Sequence, residues 1–168
     1  ATTIDTAADV IVNVSGTVSA ADANTIAKAT GGDVTATVAA GTAASLVKAL
    51  ENVTTNTDKL ALKVTGTATA ADLLALNNKT LGLVDATKVT TITGKASDVA
   101  AVLALTTGEM TNSGTMAVTI TDSLTTVTDL NTIAGKTSGK ITATLEADIT
   151  TLNGLSTAAT DAITIKVT

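Results

Sequence analysis

Phenylalanine, tyrosine, tryptophan, cysteine, proline, histidine, arginine and glutamine are all missing from this 168-residue chain, and methionine occurs twice. Each absence removes a possibility. An aromatic ring buries about 150–250 Å² in one place, so without rings the interior must be filled by Ala, Val, Leu and Ile, which supply nearly all of the 45% hydrophobic content. Such side chains exclude water when thin layers are repeated, so the composition points to stacked units. Without His the most frequent general acid–base group is gone. Without His or Cys the usual zinc sites are gone, and without Arg no bidentate phosphate clamp can be built. These gaps point away from an enzyme and imply no cofactor. With no Cys, no disulfide reports on redox compartment.

All ten cationic residues are Lys and the net charge is −5. A phosphate backbone would meet net repulsion and no ring to stack on, which excludes nucleic acid as an expected partner. The longest apolar run, Val99 to Leu105, falls far short of the roughly 20 residues that cross a bilayer, so no membrane span is expected. The start, Ala1-Thr2-Thr3-Ile4, has neither a cationic nor an apolar leader region. An export signal, if the protein carries one, lies outside this segment.

What is present is repetition. A β-branched run, a Gly-Thr or equivalent turn, and an Ala/Leu-rich run opened by Ser, Thr or Asp recur about six times. The first copy reads Val10 to Val14, Ser15-Gly16-Thr17, then Ser19 to Ala29; the third reads Leu60 to Val64, Thr65-Gly66-Thr67, then Thr69 to Leu76. In the fourth, Ser97-Asp98 opens the run to Leu105, and in the sixth a weak segment spans Asp148 to Leu155. The strand phrases end at Val14, Val38, Val64, Ile92, Ile120, Leu145 and Val167, giving spacings of 22 to 28 residues, the length of one strand–helix unit. A longer echo overlies these units. Asn24-Thr25-Ile26-Ala27 returns as Asn131-Thr132-Ile133-Ala134, and Thr35-Ala36-Thr37 as Thr142-Ala143-Thr144, both displaced by 107 residues (131 − 24 = 142 − 35). That shared offset indicates duplication of a four-unit block.

Val34, Ala36 and Val38 alternate with Thr35 and Thr37, the period-two signature of a half-buried strand. Ser19 with Asp22 and Thr69 with Asp72 place a hydroxyl cap and an acid three residues on, as a helix start prefers. From the first cap, Ala21, Ala23, Ile26 and Ala27 are expected to line one helix face. Unit lengths of this size suit parallel strands joined by right-handed crossovers. The expected fold is α/β: a right-handed solenoid of about six strand–helix repeats, with one parallel β-sheet wall and a wall of short helices. Residues 1–168 form a single repeat array, with units near 10–32, 33–58, 59–85, 86–114, 115–139 and 140–161 and a partial unit at each end. Loops at Asn52 to Asp58, Asn77 to Leu83 and Thr106 to Gly114 make the edges. Thr2-Thr3-Ile4 followed by Asp5 to Asp9 reads as a unit with a truncated helix.

The phrases Gly66-Thr67-Ala68-Thr69-Ala70-Ala71-Asp72-Leu73, Val89 to Ala100 and Asp33 to Val38 resemble repeats of very large surface proteins of marine cyanobacteria. The resemblance covers nearly the whole chain. It implies a secreted or cell-surface location and a structural, adhesive or motility-related role.

Two features invite a functional reading. The outward strand face is expected to present Thr35, Thr37, Lys63, Thr119, Thr142, Thr144, Thr164 and Lys166. A regular Thr ladder can order water or ice, but Lys63, Lys166, Asn13 and Ala61 interrupt this one. Acids recur near the strand entrances, at Asp33, Asp58 and Asp161 with Asp85 a few residues before its strand, where a row of carboxylates can hold Ca²⁺; turn chemistry explains the same residues. The Ser and Thr hydroxyls have no base to activate them. The leading expectation is a structural repeat that associates end to end or with neighbouring repeats. The alternative is an adhesion module that takes glycan, ice or Ca²⁺ on the strand face or turn acids.

Overall fold

The computed structural model describes residues 10–53, 57–122 and 125–168. Its elements alternate along the chain: β1 (Val12–Val18), α1 (Ala20–Ala29), β2 (Val34–Val38), α2 (Ala43–Ala49), β3 (Lys59–Thr69), α3 (Ala70–Asn77), β4 (Val84–Gly94), α4 (Ala96–Ala104), β5 (Met110–Asn112), β6 (Ala117–Ile120), α5 (Val127–Ala134), β7 (Ile141–Ala147), α6 (Ile149–Leu152) and β8 (Ala162–Val167). The strands form one open sheet in the order β1-β2-β3-β4-β6-β7-β8, with β5 beside the start of β4. Every strand pairing among the described residues is parallel. The chain is therefore α/β, with an eight-stranded parallel sheet and six helices among the described residues. No helix among the described residues is long and apolar enough to cross a membrane.

The two periodicities sort each unit. In β2 the Val34, Ala36 and Val38 side chains are buried while Thr35 and Thr37 face out. In the helices the buried residues fall three apart: Ala70, Leu73 and Leu76 in α3, Ala96, Val99 and Val102 in α4, Val127, Leu130 and Ile133 in α5. Spacings of three keep one helix stripe on the sheet. In α1, however, the phase differs from the expected face. Ala23 is buried and Ala20, Ile26 and Ala27 are half-buried, but Ala21 is exposed, because Ser19 is the cap and Ala20 takes the first inward position.

Ser19 and Thr69 cap their helices as expected, accepting from the Asp22 and Asp72 backbone N–H at 3.1 and 3.0 Å. Thr42, Thr126 and Asp148 do the same for α2, α5 and α6. The fourth helix departs from the pattern. Its cap residue is Lys95, whose side chain makes no capping bond, and the Asp122 carboxylate from beyond the next strand accepts from Ala96 N–H at 2.7 Å instead. The sixth helix has only four residues and buries none of them.

Two expected boundaries move. Gly16-Thr17 and Gly66-Thr67 are not strand-ending turns: β1 runs on to Val18 and β3 to Thr69, with a register shift at each glycine. Gly66 absorbs the bulge at φ +80°, a left-handed conformation that side chains with a Cβ rarely adopt. The expected Thr106 to Gly114 loop contains β5, because Met110 has a buried place beside Val84. Thr2 to Asp9 and part of the Asn52 to Asp58 loop lie outside the described residues.

Successive layers are clasped at the strand entrances. Thr80 Oγ1 accepts from Leu60 N–H at 2.7 Å and Gly82 N–H at 2.8 Å, and it has the Leu60 carbonyl at 2.9 Å for its own proton. Thr137 repeats this, donating to the Met116 carbonyl at 2.7 Å and accepting from Gly139 N–H at 3.0 Å. The glycine two residues on is required by space, since a Cβ on Gly82 would lie 2.4 Å from the Leu60 carbonyl oxygen and one on Gly139 2.1 Å from that of Met116. In other layers a carboxylate serves. Asp58 accepts from Val34 N–H at 2.8 Å and Asp161 from Ile141 N–H at 2.7 Å.

The 107-residue echo is structural as well. Ser19 and Thr126 each donate to the acid three residues on at 2.7 Å, and Thr25 and Thr132 each donate to the carbonyl four residues back at 2.9 Å. Asn24 and Asn131 each accept, at 2.8 Å, a backbone N–H from beyond the next helix, that of Asn52 and of Ser156 respectively.

Asp58 is 4% exposed, and burial raises its pKa above the usual 3.8; the Val34 N–H opposes that shift and the Asp33 charge adds to it. The folded chain thus holds this proton more tightly than the unfolded chain. The contribution of Asp58 to stability is greatest below pH 3.8 and falls as pH rises through the folded value. Asp85, Glu109 and Asp148, whose pKa values are lowered by hydrogen bonds, have the opposite sense: their contribution is present above the ordinary values and lost on acidification. We expect Asp58→Asn, which keeps an acceptor for Val34, to melt at or above wild type at pH 7, with the advantage vanishing near pH 3. Asp58→Ala leaves the Val34 N–H unpaired and should cost about 1–3 kcal/mol. Thermal melts followed by circular dichroism across pH 3 to 7 check both; an Asn advantage that persists at pH 3 contradicts the assignment.

Candidate binding surface

The outward side chains form rows across the sheet, because parallel strands in register place equivalent residues about 4.8 Å apart. Thr35 lies beside Asn13 and Lys59, and Thr37 beside Thr17 and Ala61. Lys63 is opposite Asp85, Thr119 opposite Thr142, Thr144 opposite Thr164, and Lys166 opposite Glu146. All eight expected surface residues are on this face. Thr119 and Thr144 are half-buried and the other six are exposed.

The register also reveals residues that strand phrases alone missed. Thr69, Thr93, Thr119 and Thr142 make one unbroken row across β3, β4, β6 and β7, and Thr67 and Thr91 begin a second beside it. Thr67 and Thr69 were overlooked because Gly66 reads as a strand end. The signal was the Thr67-Ala68-Thr69 alternation, which resumes after the bulge.

A depression of about 400 Å³ opens on the same face. It gathers Thr37 and Lys63 from the expected set and adds Thr17, Ala61, Leu83 and Asp85. The Asp85 carboxyl is held below the usual carboxylate range, first by the Thr87 hydroxyl at 2.6 Å, then by the Thr87 N–H at 3.0 Å, with Lys63 and Lys88 adding favourable charge. The hollow therefore presents an ionised acid and an ammonium on adjacent strands beside an apolar floor. That arrangement offers hydrogen bonds and two opposite charges to a polar molecule.

A second hollow of about 420 Å³ lies towards the C-terminal end of the sheet, lined by residues that include Thr125, Leu145, Glu146, Asp148 and Thr168. Thr125 is 3% exposed and its hydroxyl has no hydrogen-bond partner. Glu146 and Asp148 are both exposed, and Asp148 spends one oxygen on the Thr151 N–H at 2.7 Å.

No family model, curated protein or solved structure matches the chain. The reading of this surface thus rests on its own geometry.

The turn acids do not assemble as the row that calcium would need. Asp58 and Asp161 point at the backbone of the preceding layer, and Asp85 lies within β4 on the outward face instead of before it. Among the described residues no three acids converge at ligand distance. Addition of millimolar Ca²⁺ is accordingly expected to leave the melting temperature unchanged, whereas a saturable rise would show that the acids take the ion. Thr125→Val should raise stability by about 1 kcal/mol or leave it unchanged, since it removes a buried hydroxyl without a partner. A clear loss on chemical denaturation would mean that the hydroxyl is satisfied in solution.

Proposed function

We propose that the chain is a non-catalytic structural repeat segment of a secreted or cell-surface protein, wound as a right-handed solenoid and stacked into an elongated scaffold or filament. One comparison carries this reading. The phrase Leu60-Ala61-Leu62-Lys63-Val64 in β3 returns in β8 as Ile163-Thr164-Ile165-Lys166-Val167. In β3 its three inward side chains are at most 1% exposed, whereas in β8 Ile165 is 47% and Val167 61% exposed. The same pattern is core in β3, where β4 lies alongside, and exposed in β8, the last strand of the described sheet. Each layer is apolar enough to require a neighbour, as in repeat proteins whose ends are uncapped. The resemblance to cyanobacterial surface repeats supports the location and the structural role.

A second reading, adhesion through the outward face, is favoured by the Thr69–Thr93–Thr119–Thr142 row and by the hollow that holds Lys63 and Asp85. Its ligand would be a polar, uncharged or zwitterionic molecule such as a glycan.

The two readings separate on association. For a structural segment, sedimentation velocity should show mass rising with concentration, and electron micrographs should show fibres with an axial repeat near 4.8 Å per strand layer. Val167→Lys should weaken association at least tenfold, because burial of one Val contributes about 1.5–3 kcal/mol and each 1.4 kcal/mol is a factor of ten. A chain that stays monomeric at millimolar concentration, yet binds a glycan array, belongs to the second reading.

A further inference from the structure

Polar groups converge without satisfying one another in the hollow beside Lys63, and the register explains why a hollow is there. On its β4 side Lys63 is paired with Asp85. On its β2 side the chain carries one residue more than β3, since Thr37 pairs with Ala61 while Gly41 bridges to Val64. That flank of Lys63 is left to Ala39 and Ala40, and one row back Ala61 stands between Thr37 and Leu83. Three methyl groups ringed by longer side chains leave the depression of about 400 Å³.

Among the described residues Thr17, Thr37 and Lys63 make no side-chain hydrogen bond, and Lys63 and Asp85 do not close into an ion pair although their strands are adjacent. Asp85 commits Oδ1 to Thr87 and keeps Oδ2. A ligand is therefore offered two hydroxyls, an ammonium and a carboxylate oxygen above an aliphatic floor. An anion drawn to Lys63 meets Asp85, and a cation drawn to Asp85 meets Lys63, so each loses on one side what it gains on the other. A neutral molecule with neighbouring hydroxyls meets no such conflict. One hydroxyl donates to Asp85 and the next accepts from Lys63, both as charge-assisted bonds.

We infer that this hollow binds one saccharide residue, held by a vicinal pair of hydroxyls between Lys63 and Asp85, with the C–H face of the ring resting on Ala61 and Leu83. The inference rests on the adhesion reading and adds to it a place and a ligand chemistry. Size agrees, because small-molecule sites span roughly 300–1,000 Å³ and a hollow of about 400 Å³ suits a single ring better than a long oligosaccharide. The chain has no aromatic ring on which a sugar could stack, so aliphatic floor of this kind is what it can offer to C–H groups.

Saturation-transfer NMR tests this, since it reads the ligand and tolerates an oligomeric protein. The probes are methyl β-glucoside and methyl α-mannoside, which between them present trans and cis hydroxyl pairs, the permethylated form of each, and the zwitterion glycine betaine. At least one glycoside should bind saturably, with the strongest transfer to ring C–H protons, and the permethylated forms and betaine should not. Ala61 is exposed, so Ala61→Leu fills the hollow without touching the core and should abolish the signal. Lys63→Met and Asp85→Asn, the latter keeping an acceptor for Thr87, should each weaken binding about tenfold or more. Thr142→Val, on the hydroxyl row away from the hollow, should leave it unchanged, and unaltered melting of each variant confirms its fold. Glycoside binding that survives Ala61→Leu and Lys63→Met would overturn the hollow and leave the adhesion reading intact. Preference for betaine over both glycosides would overturn the saccharide. Binding of neither glycoside would remove the site, and a blank glycan array beside it would remove the adhesion reading as well.

Discussion

Backbone has to approach backbone very closely for this chain to have a core at all. A layer of Val, Ala and Leu is thin, and its dispersion contacts are useful only if the next layer leaves no gap. The clasps at the strand entrances secure that approach. Most take a backbone N–H at a strand entrance, such as those of Val34, Leu60 and Ile141, into a hydroxyl or a carboxylate of the next layer, so that these buried donors are paired. Gly82 and Gly139 follow from the same constraint, since any side chain there would hold the layers apart.

The clasp also explains how polar residues sit in so apolar an interior. Thr80, Thr137 and Asp58 are at most 8% exposed, and each is bonded to the backbone of the layer before it. Asp58 carries a cost for this that the threonines avoid, because burial works against its charge. Thr125 is the exception, a buried hydroxyl without a partner beside the hollow near the last strand. It lies close to a helix of four residues that buries nothing.

The same geometry divides the surface. Side chains that point inward from the sheet are largely buried, so they are closed to recognition. The outward rows are ordered by the register and carry hydroxyls over β3, β4, β6 and β7, with the Lys63–Asp85 and Glu146–Lys166 rungs towards either side. The last described strand, β8, carries the exposed aliphatic side chains of Ile165 and Val167. The structural and adhesive roles proposed above call on different faces of the molecule.

Sequence by itself determined the α/β alternation, the parallel sheet, the outward threonines and the 107-residue echo, because periods of two and three and simple self-similarity are local properties of the chain. The caps at Ser19 and Thr69 were legible for the same reason. Tertiary structure alone decided the rest. That Gly66 bends a strand instead of ending it depends on β4 lying alongside to pair with Thr67, Ala68 and Thr69. That Asp122 caps the helix after Lys95, and that Asp58 and Asp161 serve the preceding layer, depends on which residues the stack brings within 3 Å across 20 to 26 positions of sequence. No local pattern encodes such pairings, since they are set by the register between layers, and that register is fixed only when the layers are packed together.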